Sequence, residues 1–190
     1  MKGISYNTNT FFTSDTHFWH TNILEYCNRP FETIEEMNEE IIKRWNDKIG
    51  KNDIVFHLGD FAFCGSTLYN NLLDRLNGKI TLILGNHDMR NLNKNIIDRF
   101  NGVYQQVSIK IEDQRIYLNH FPFLCYSGSL NGVWQLFGHV HSSPYKKENS
   151  LDDLRLNMLL PGQYDVGVDN NNFTPISYME LKEKIKKERV

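Results

Sequence analysis

The sequence predicts an α/β layered domain. Two observations carry this: short apolar runs of strand length alternate with helical patterns along the first half of the chain, and the second half breaks into strands set between turn signals. With 190 residues, 40% of them hydrophobic, the chain can bury a full core as one domain without disulfide or metal staples. No repeat and no low-complexity linker divides it.

The first expected strand is Thr10 to Ser14. Thr33 to Asp47 is a helix, because Thr33 and Glu36 form a capping box and Ile34, Met37, Ile41, Ile42 and Trp45 fall on one face. "DIVFHLGD" is a buried strand ending at Asp60, and Thr67 to Asn77 is a helix stopped by Gly78. "KITLILGNHD" is a third strand running into a loop. "VYQQVSIKIEDQRIYLNHF" is a hairpin around a turn at Glu112 to Gln114, and "VWQLFGHVH" is another strand ending in a loop. "YDVGVDNNNFTPISYMEL" contains a last strand, a turn, and a helix capped by Ser177 and Glu180. Lys182, Lys184, Lys186, Lys187 and Arg189 then suit the negative end of that helix's dipole.

Bulk properties exclude several classes. A formal net charge of −2 gives no basic excess for non-specific nucleic-acid binding. Cys27, Cys64 and Cys125 are odd in number and make no CxxC pair, so they read as free thiols in a reducing compartment. The N-terminal stretch lacks a signal peptide's apolar core, and no segment approaches the ~18 consecutive apolar residues of a membrane span. A cytoplasmic protein without membrane contact is expected. Nothing in the sequence bears on its oligomeric state.

The chemistry is positional. Asp15-Thr16-His17 follows the first strand, Asp60 the second, and Asn86-His87-Asp88 the third. His120 follows the return strand of the hairpin, and His139-Val140-His141 the strand after it. Ligand sites in open α/β sheets lie beyond the carboxyl ends of strands. Side chains two apart on an extended chain point the same way, so Asp15 and His17 can face one point. Gly59, Gly85 and Gly138 each precede a group, where glycine permits a sharp turn and a close approach of backbone. Asp15, Asp60, His17, His120, His139, His141 and the Asn86 oxygen make seven donors with no cysteine. That set is too large for one tetrahedral zinc and too rich in imidazole for a pure Mg²⁺ or Ca²⁺ site. It suits two borderline cations sharing a carboxylate.

"SDTH", "GD", "GNHD", the histidine of "LNHFP" and "GHVH", in this order, resemble the motifs of the calcineurin-like metallophosphoesterases. The resemblance implies a four-layer α-β-β-α sandwich, two packed β-sheets flanked by helices, as a single domain over residues 1–190. The short spacing from His120 to His139 leaves no room for a large cap domain. Carried over residue by residue, it implies that Asp15, His17 and His141 bind a first metal and that Asp60 bridges. Asn86, His120 and His139 would complete the second site. His87 would face substrate as general acid or phosphate contact, with Asp88 positioning its loop. Manganese is the first expectation for the two divalent ions, with iron, nickel or zinc also accepted by these ligands. The sequence departs from the protein serine/threonine phosphatase branch: where those carry "GDxxDRG", this chain has "GDFAFCG", with Phe63 and Cys64 at the last two variant positions. It looks closer to small bacterial and phage phosphoesterases.

The resemblance therefore implies hydrolysis of a phosphomonoester or phosphodiester, a small molecule or a nucleic-acid end, by a metal-activated hydroxide. A non-catalytic scaffold on the same fold, binding a protein partner, is the alternative; it could lose ligands freely, and none is missing here. Outside the ligand set, His20, Arg29 and Arg90 lie close enough to the motif loops to touch substrate. His57 reads as a packed structural residue. Trp19, Tyr126 and Trp134 read as packing aromatics, with stacking on a substrate ring as their alternative.

Overall fold

Residues 6–143 and 151–187 are described by the computed structural model, and Arg189 lies outside them. Strands β1 (Thr10–Thr13), β2 (Ile54–His57), β3 (Lys79–Ile83) and β4 (Gly102–Tyr104) run parallel in one sheet. β5 (Gln106–Ile111), β6 (Gln114–Asn119), β7 (Trp134–Phe137) and β8 (Gln163–Asp165) form a second sheet. β9 (Ile176–Ser177) returns antiparallel to β1, so the first sheet is ordered β4-β3-β2-β1-β9. The helices are α1 (Ile23–Tyr26), α2 (Ile34–Lys48), α3 (Ser66–Arg75), α4 (Asp88–Asn91), α5 (Lys94–Ile97), α6 (Leu151–Leu156) and α7 (Tyr178–Lys187). The result is a sandwich of two mixed sheets with helices about them. Among the described residues no helix is long and apolar enough to cross a membrane.

Strand alternation decides which core each residue joins. Phe12, Phe56 and Ile83 point between the sheets and meet Ile109, Ile111, Ile116, Leu118 and Trp134. Phe11, Val55, Ile80 and Leu82 point the other way, where Met37, Ile41, Ile42 and Trp45 of α2 and Leu72 of α3 cover them. Each such side chain, fully buried, contributes about 1.5–3 kcal/mol. Tyr178, Leu181 and Ile185 of α7 join the core between the sheets. The first sheet is thereby packed on both faces, and the loops after β1, β2, β6 and β7 meet at one edge.

The caps follow the sequence. Thr33 Oγ1 accepts from the Glu36 N–H at 3.1 Å. The Glu36 carboxylate reaches one residue further back than a capping box requires, accepting from Glu32 N–H at 2.8 Å. Ser177 and Glu180 make the full reciprocal box before α7.

Two expectations change. The hairpin is β5–β6 with its turn at Glu112–Asp113, Glu112 taking φ 51°. Val103 and Tyr104 belong to the first sheet instead, paired with Leu82 and Ile83. The chain changes sheets at Gln105, a crossing that alternation alone does not mark. The last strand also divides: β8 completes the second sheet, and the very short β9 closes the first.

Candidate metal centre

The loops after β1 and β2 stay zipped beyond their strands. Asp15 N–H donates to Gly59 O at 2.9 Å, His17 N–H to Asp60 O at 3.0 Å and Phe18 N–H to Phe61 O at 3.0 Å. The backbone there is not extended. Asp15, His17, Asp60, His139 and His141 have φ of 57°, 51°, 55°, 71° and 46°. Asp15 and His17 do face one region, but left-handed residues, not strand alternation, aim them. Each such conformation costs of order 1–3 kcal/mol and persists only where the surroundings hold it. Here those surroundings are the ladder of loop hydrogen bonds.

Potential ligand atoms of Asp15, His17 and His141 lie within 4.8 Å of one another, as do those of Asp60, His120 and His139. His17 Nε2 is 3.9 Å from Asp15 Oδ1 and 3.7 Å from Asp60 Oδ2. His141 Nε2 is 3.8 Å from Asp15 Oδ1, and His120 Nε2 is 3.5 Å from Asp60 Oδ2. Asp60 Oδ2 thus stands between the two sets. Asn86 Oδ1 sits 3.0 Å from His120 Nε2.

The fit to a cation rests on two orphaned atoms. Asp15 Oδ1 and His17 Nε2 are buried and, among the described residues, make no hydrogen bond. A buried carboxylate oxygen and a ring nitrogen left unpaired carry the full cost of desolvation. Separations of 3.5–3.9 Å between facing donors are what ligands about 2.0–2.2 Å from a shared ion can span. Close backbone approach makes room: a Cβ on Gly138 would run into Ser14 Oγ and Asp15 Oδ2, and one on Gly85 into Asp60 Oδ1.

The other nitrogen of each ring is anchored. His120 Nδ1 bonds Leu58 O at 2.7 Å, and His141 Nδ1 meets Asp169 Oδ2 at 2.8 Å, which turns both Nε2 atoms inward. Burial opposes charge on His120, but the Asp60 carboxylate outweighs it and lifts the imidazole to about 9. His141 is likewise held well above the ordinary range by Asp169 against its burial. His17 is pushed well below it by burial and then by His141, and His139 is lowered by burial and then by His120. A bound cation would take the place of the protons that His120 and His141 carry without it.

His87 lies at the rim, half-buried, its ring centroid 5.9 Å from that of His17. The His87 backbone N–H donates to Asp60 Oδ1 at 3.0 Å. Asp88 is buried and accepts from the N–H groups of Asp60, Phe61 and Gly85 at 2.8, 3.0 and 2.7 Å. All three of these hydrogen bonds go to backbone, which ties the loop after β2 to the loop after β3. His20 Nδ1 lies 3.1 Å from His17 Nδ1, and its ring stacks on Phe63 at 4.1 Å. Arg90 is exposed beside this group.

Arg29 is the correction. Expected near substrate, it is buried, with Nε and Nη2 on Asp169 and with Nη1 and Nη2 on the Thr16 and Asp15 carbonyls. No donor faces outward. Its partner Asp169 escaped sequence reasoning, although "YDVGVD" follows the same rule of a carboxylate after a strand end. His57 is fully buried, between Thr16 Oγ1 and the Gly59 N–H. Trp134 is buried in the core.

A sandwich of two mixed sheets with two histidine–aspartate sets at one edge is a scaffold able to hold divalent cations. The chain belongs to the calcineurin-like phosphoesterase family, whose profile matches residues 8–170. It is 35% identical over 179 residues to the uncharacterized protein MJ1445 of Methanocaldococcus jannaschii, covering 93% of this chain and 91% of that one. It is 30% identical over 165 residues to the gene 66 protein of Mycobacterium phage L5, covering 71% and 78%. The crystal structure of the protein of unknown function AQ665 from Aquifex aeolicus superposes with a TM-score of 0.69 at 25% identity, covering 92% of this chain and 98% of that one. Membership implies divalent metal ions and a phosphate-ester substrate.

Proposed function

We propose that this chain is a two-metal phosphoesterase acting on a phosphomonoester or phosphodiester, with a nucleic-acid end among its substrates. The observation that carries the reading is the pair of buried, unpaired atoms Asp15 Oδ1 and His17 Nε2, facing Asp60 and His141. Asp15, His17 and His141 hold one cation; Asn86, His120 and His139 hold the other; Asp60 belongs to both. Manganese is the proposed ion, and iron, nickel or zinc would fit the same donors. When bound, two such cations supply Lewis acidity toward a phosphoryl group and a nucleophile available near neutral pH.

The chain's own residues do the rest. His87, on the rim beside His17, gives a proton to the departing oxygen. The hydrogen bond from its backbone N–H to Asp60 ties the loop that carries the proton donor to the carboxylate shared by both sets. Asp88 fixes the two loops to each other through three backbone N–H groups. Buried Asp15, His17 and His120 keep water from competing for the ligand atoms.

Metal analysis beside turnover of a panel of mono- and diesters tests this. Asp60→Asn should strip metal and abolish turnover, whereas His87→Ala should lower kcat about 10²–10⁴-fold with metal content intact. Metal loss in His87→Ala would overturn its role. Retained metal with no turnover of any ester would point to a scaffold instead.

A further inference from the structure

The Phe63 ring is a wall between two spaces. His20 stacks on it at 4.1 Å, and the rings of His17 and His87 lie 5.1 and 4.9 Å away. These three histidine centroids are 5.2, 5.9 and 6.3 Å from one another, so they crowd one side of the phenyl ring instead of bracketing it. Phe63 also lines a hollow of about 530 Å³, shared with Cys64, Ser66, Arg90, Asn91 and Asn93. That volume falls in the range of small-molecule sites, roughly 300–1,000 Å³.

The polar groups of the hollow can be sorted by what is already spent. Arg29, Arg44, Arg75 and Arg99 each hold a carboxylate. Arg90 is exposed and, among the described residues, has no hydrogen-bond or ion-pair partner. Asn93 is committed at both ends, donating to Ser66 Oγ at 2.7 Å and accepting from Ile96 N–H at 3.1 Å. Asn91 donates to His87 O at 3.1 Å, which leaves its Oδ1 as an acceptor. Ser66 accepts from Asn93 and keeps its hydroxyl proton to give. Burial pushes the Cys64 thiol up to about 11, so it adds no charge at neutral pH. What remains is the side of the Phe63 ring turned away from the three histidines, one guanidinium, one hydroxyl donor and one amide acceptor. Together they fit a planar ring with polar edges and an anionic group.

We propose that the hollow is a subsite for a nucleotide adjoining the scissile phosphate, with its base on Phe63 and a second phosphate on Arg90. The inference rests on the phosphoesterase reading above and narrows the substrate to a nucleotide bearing two phosphates, as at the end of a nucleic-acid strand. One unpaired arginine grips one phosphate. A tract of duplex would need a basic stripe, and the net charge of −2 argues against one.

The test is equilibrium binding to the metal-loaded protein by calorimetry, each ligand checked intact afterwards. Thymidine 3′,5′-bisphosphate is compared with thymidine 5′-monophosphate, so that metal-side contacts cancel in the ratio of Kd values. The wild type should prefer the bisphosphate by about tenfold, a typical worth of a charge-assisted arginine–phosphate pair. Arg90→Ala should bring the ratio close to one, and Arg90→Lys should restore part of it. Phe63→Leu should weaken both ligands alike, with an unchanged thermal midpoint showing that the fold is intact. An equal preference in the wild type, or a ratio that Arg90→Ala does not move, overturns the subsite. Hydrolysis of bis(4-nitrophenyl) phosphate by the wild type is read in parallel. Turnover with an unmoved ratio removes the subsite and leaves the phosphoesterase reading. A ratio that moves without turnover of any ester removes that reading and leaves a nucleotide-binding hollow.

Discussion

Arg29 and Asp169 meet as a bidentate pair inside the protein, Nε to Oδ1 at 2.8 Å and Nη2 to Oδ2 at 2.7 Å. The pair binds two strand ends together. Arg29 also donates to the Asp15 and Thr16 carbonyls, in the loop that carries Asp15 and His17, while Asp169 anchors the ring of His141. Burial opposes the charge on Asp169, but Arg29 first and His141 next hold its carboxyl down at about 2. Removing the arginine strands a buried carboxylate and frees a loop held in left-handed backbone. Arg29→Met should therefore cost about 3–5 kcal/mol in urea denaturation. It should also weaken the first metal about 10–100-fold by titration. Adding Asp169→Leu should recover part of the stability and none of the metal affinity, because the orphaned charge is gone but His141 is still unanchored. A single variant as stable as wild type would sink this account.

Metal should stabilise the protein measurably. Among the described residues Asp15 Oδ1 and His17 Nε2 are buried without hydrogen bonds, and a cation would satisfy both at once. Ligand at a hundredfold excess over Kd stabilises by about 2.7 kcal/mol per site. The thermal midpoint should rise with manganese and fall again with chelator, and Asp15→Ala should respond far less. A midpoint unmoved by manganese, iron, nickel and zinc alike would contradict the arrangement.

Much of this arrangement was legible because it is written in periodicity and punctuation. Apolar runs marked β1, β2, β3 and β7, the Thr33 and Ser177 caps marked the starts of α2 and α7, and donors recurring after strands marked the site. What was not legible depends on distant parts of the chain. Val103 and Ser108 read as one strand, yet they pair in different sheets, because nothing local records the crossing at Gln105. The carboxylate that pairs with Arg29 arrives 140 positions later in the chain. Asp and His enter the left-handed region more readily than most residues, but that weak preference does not mark which of them do so; at Asp15 and His17 the neighbouring loop holds it.

Gly138 should tolerate nothing larger. It lies between β7 and the two histidines after it, and its Cα faces Ser14 Oγ and Asp15 Oδ2. Asp15 Oδ2 is already occupied, accepting from His139 N–H at 2.9 Å. A methyl group here must push the Asp15 carboxylate, proposed above as a ligand of the first metal, or Ser14, whose hydroxyl donates to Leu58 O. Gly138→Ala should cost about 1–3 kcal/mol as overpacking and should lower metal occupancy with it. Wild-type metal content in that variant would show that the loop can move aside.

His57 should give the protein a pH dependence of its own. The ring is fully buried; Nδ1 accepts from Gly59 N–H at 3.3 Å, which leaves Nε2–H to donate to Thr16 Oγ1 at 3.0 Å. Thr16 passes the chain on by donating to Phe61 O at 2.8 Å. This is the neutral tautomer, and burial above all lowers the imidazole from 6.5 to about 3. A proton on Nδ1 would also face the Gly59 N–H donor to donor. The sign follows from proton counts. Between 6.5 and about 3 the unfolded chain binds a proton at this residue that the folded chain refuses, so acidification favours unfolding. Stability from His57 is fully present above pH 6.5 and is lost as the pH falls toward 3, by about 1.4 kcal/mol for each pH unit once well inside that window. His57→Gln, which can still accept from Gly59 or donate to Thr16, should flatten that part of the profile in chelated protein at a modest cost near neutrality. Urea midpoints from pH 7 to pH 4 measure it, and an equal acid slope in the wild type and His57→Gln would rule His57 out as the source.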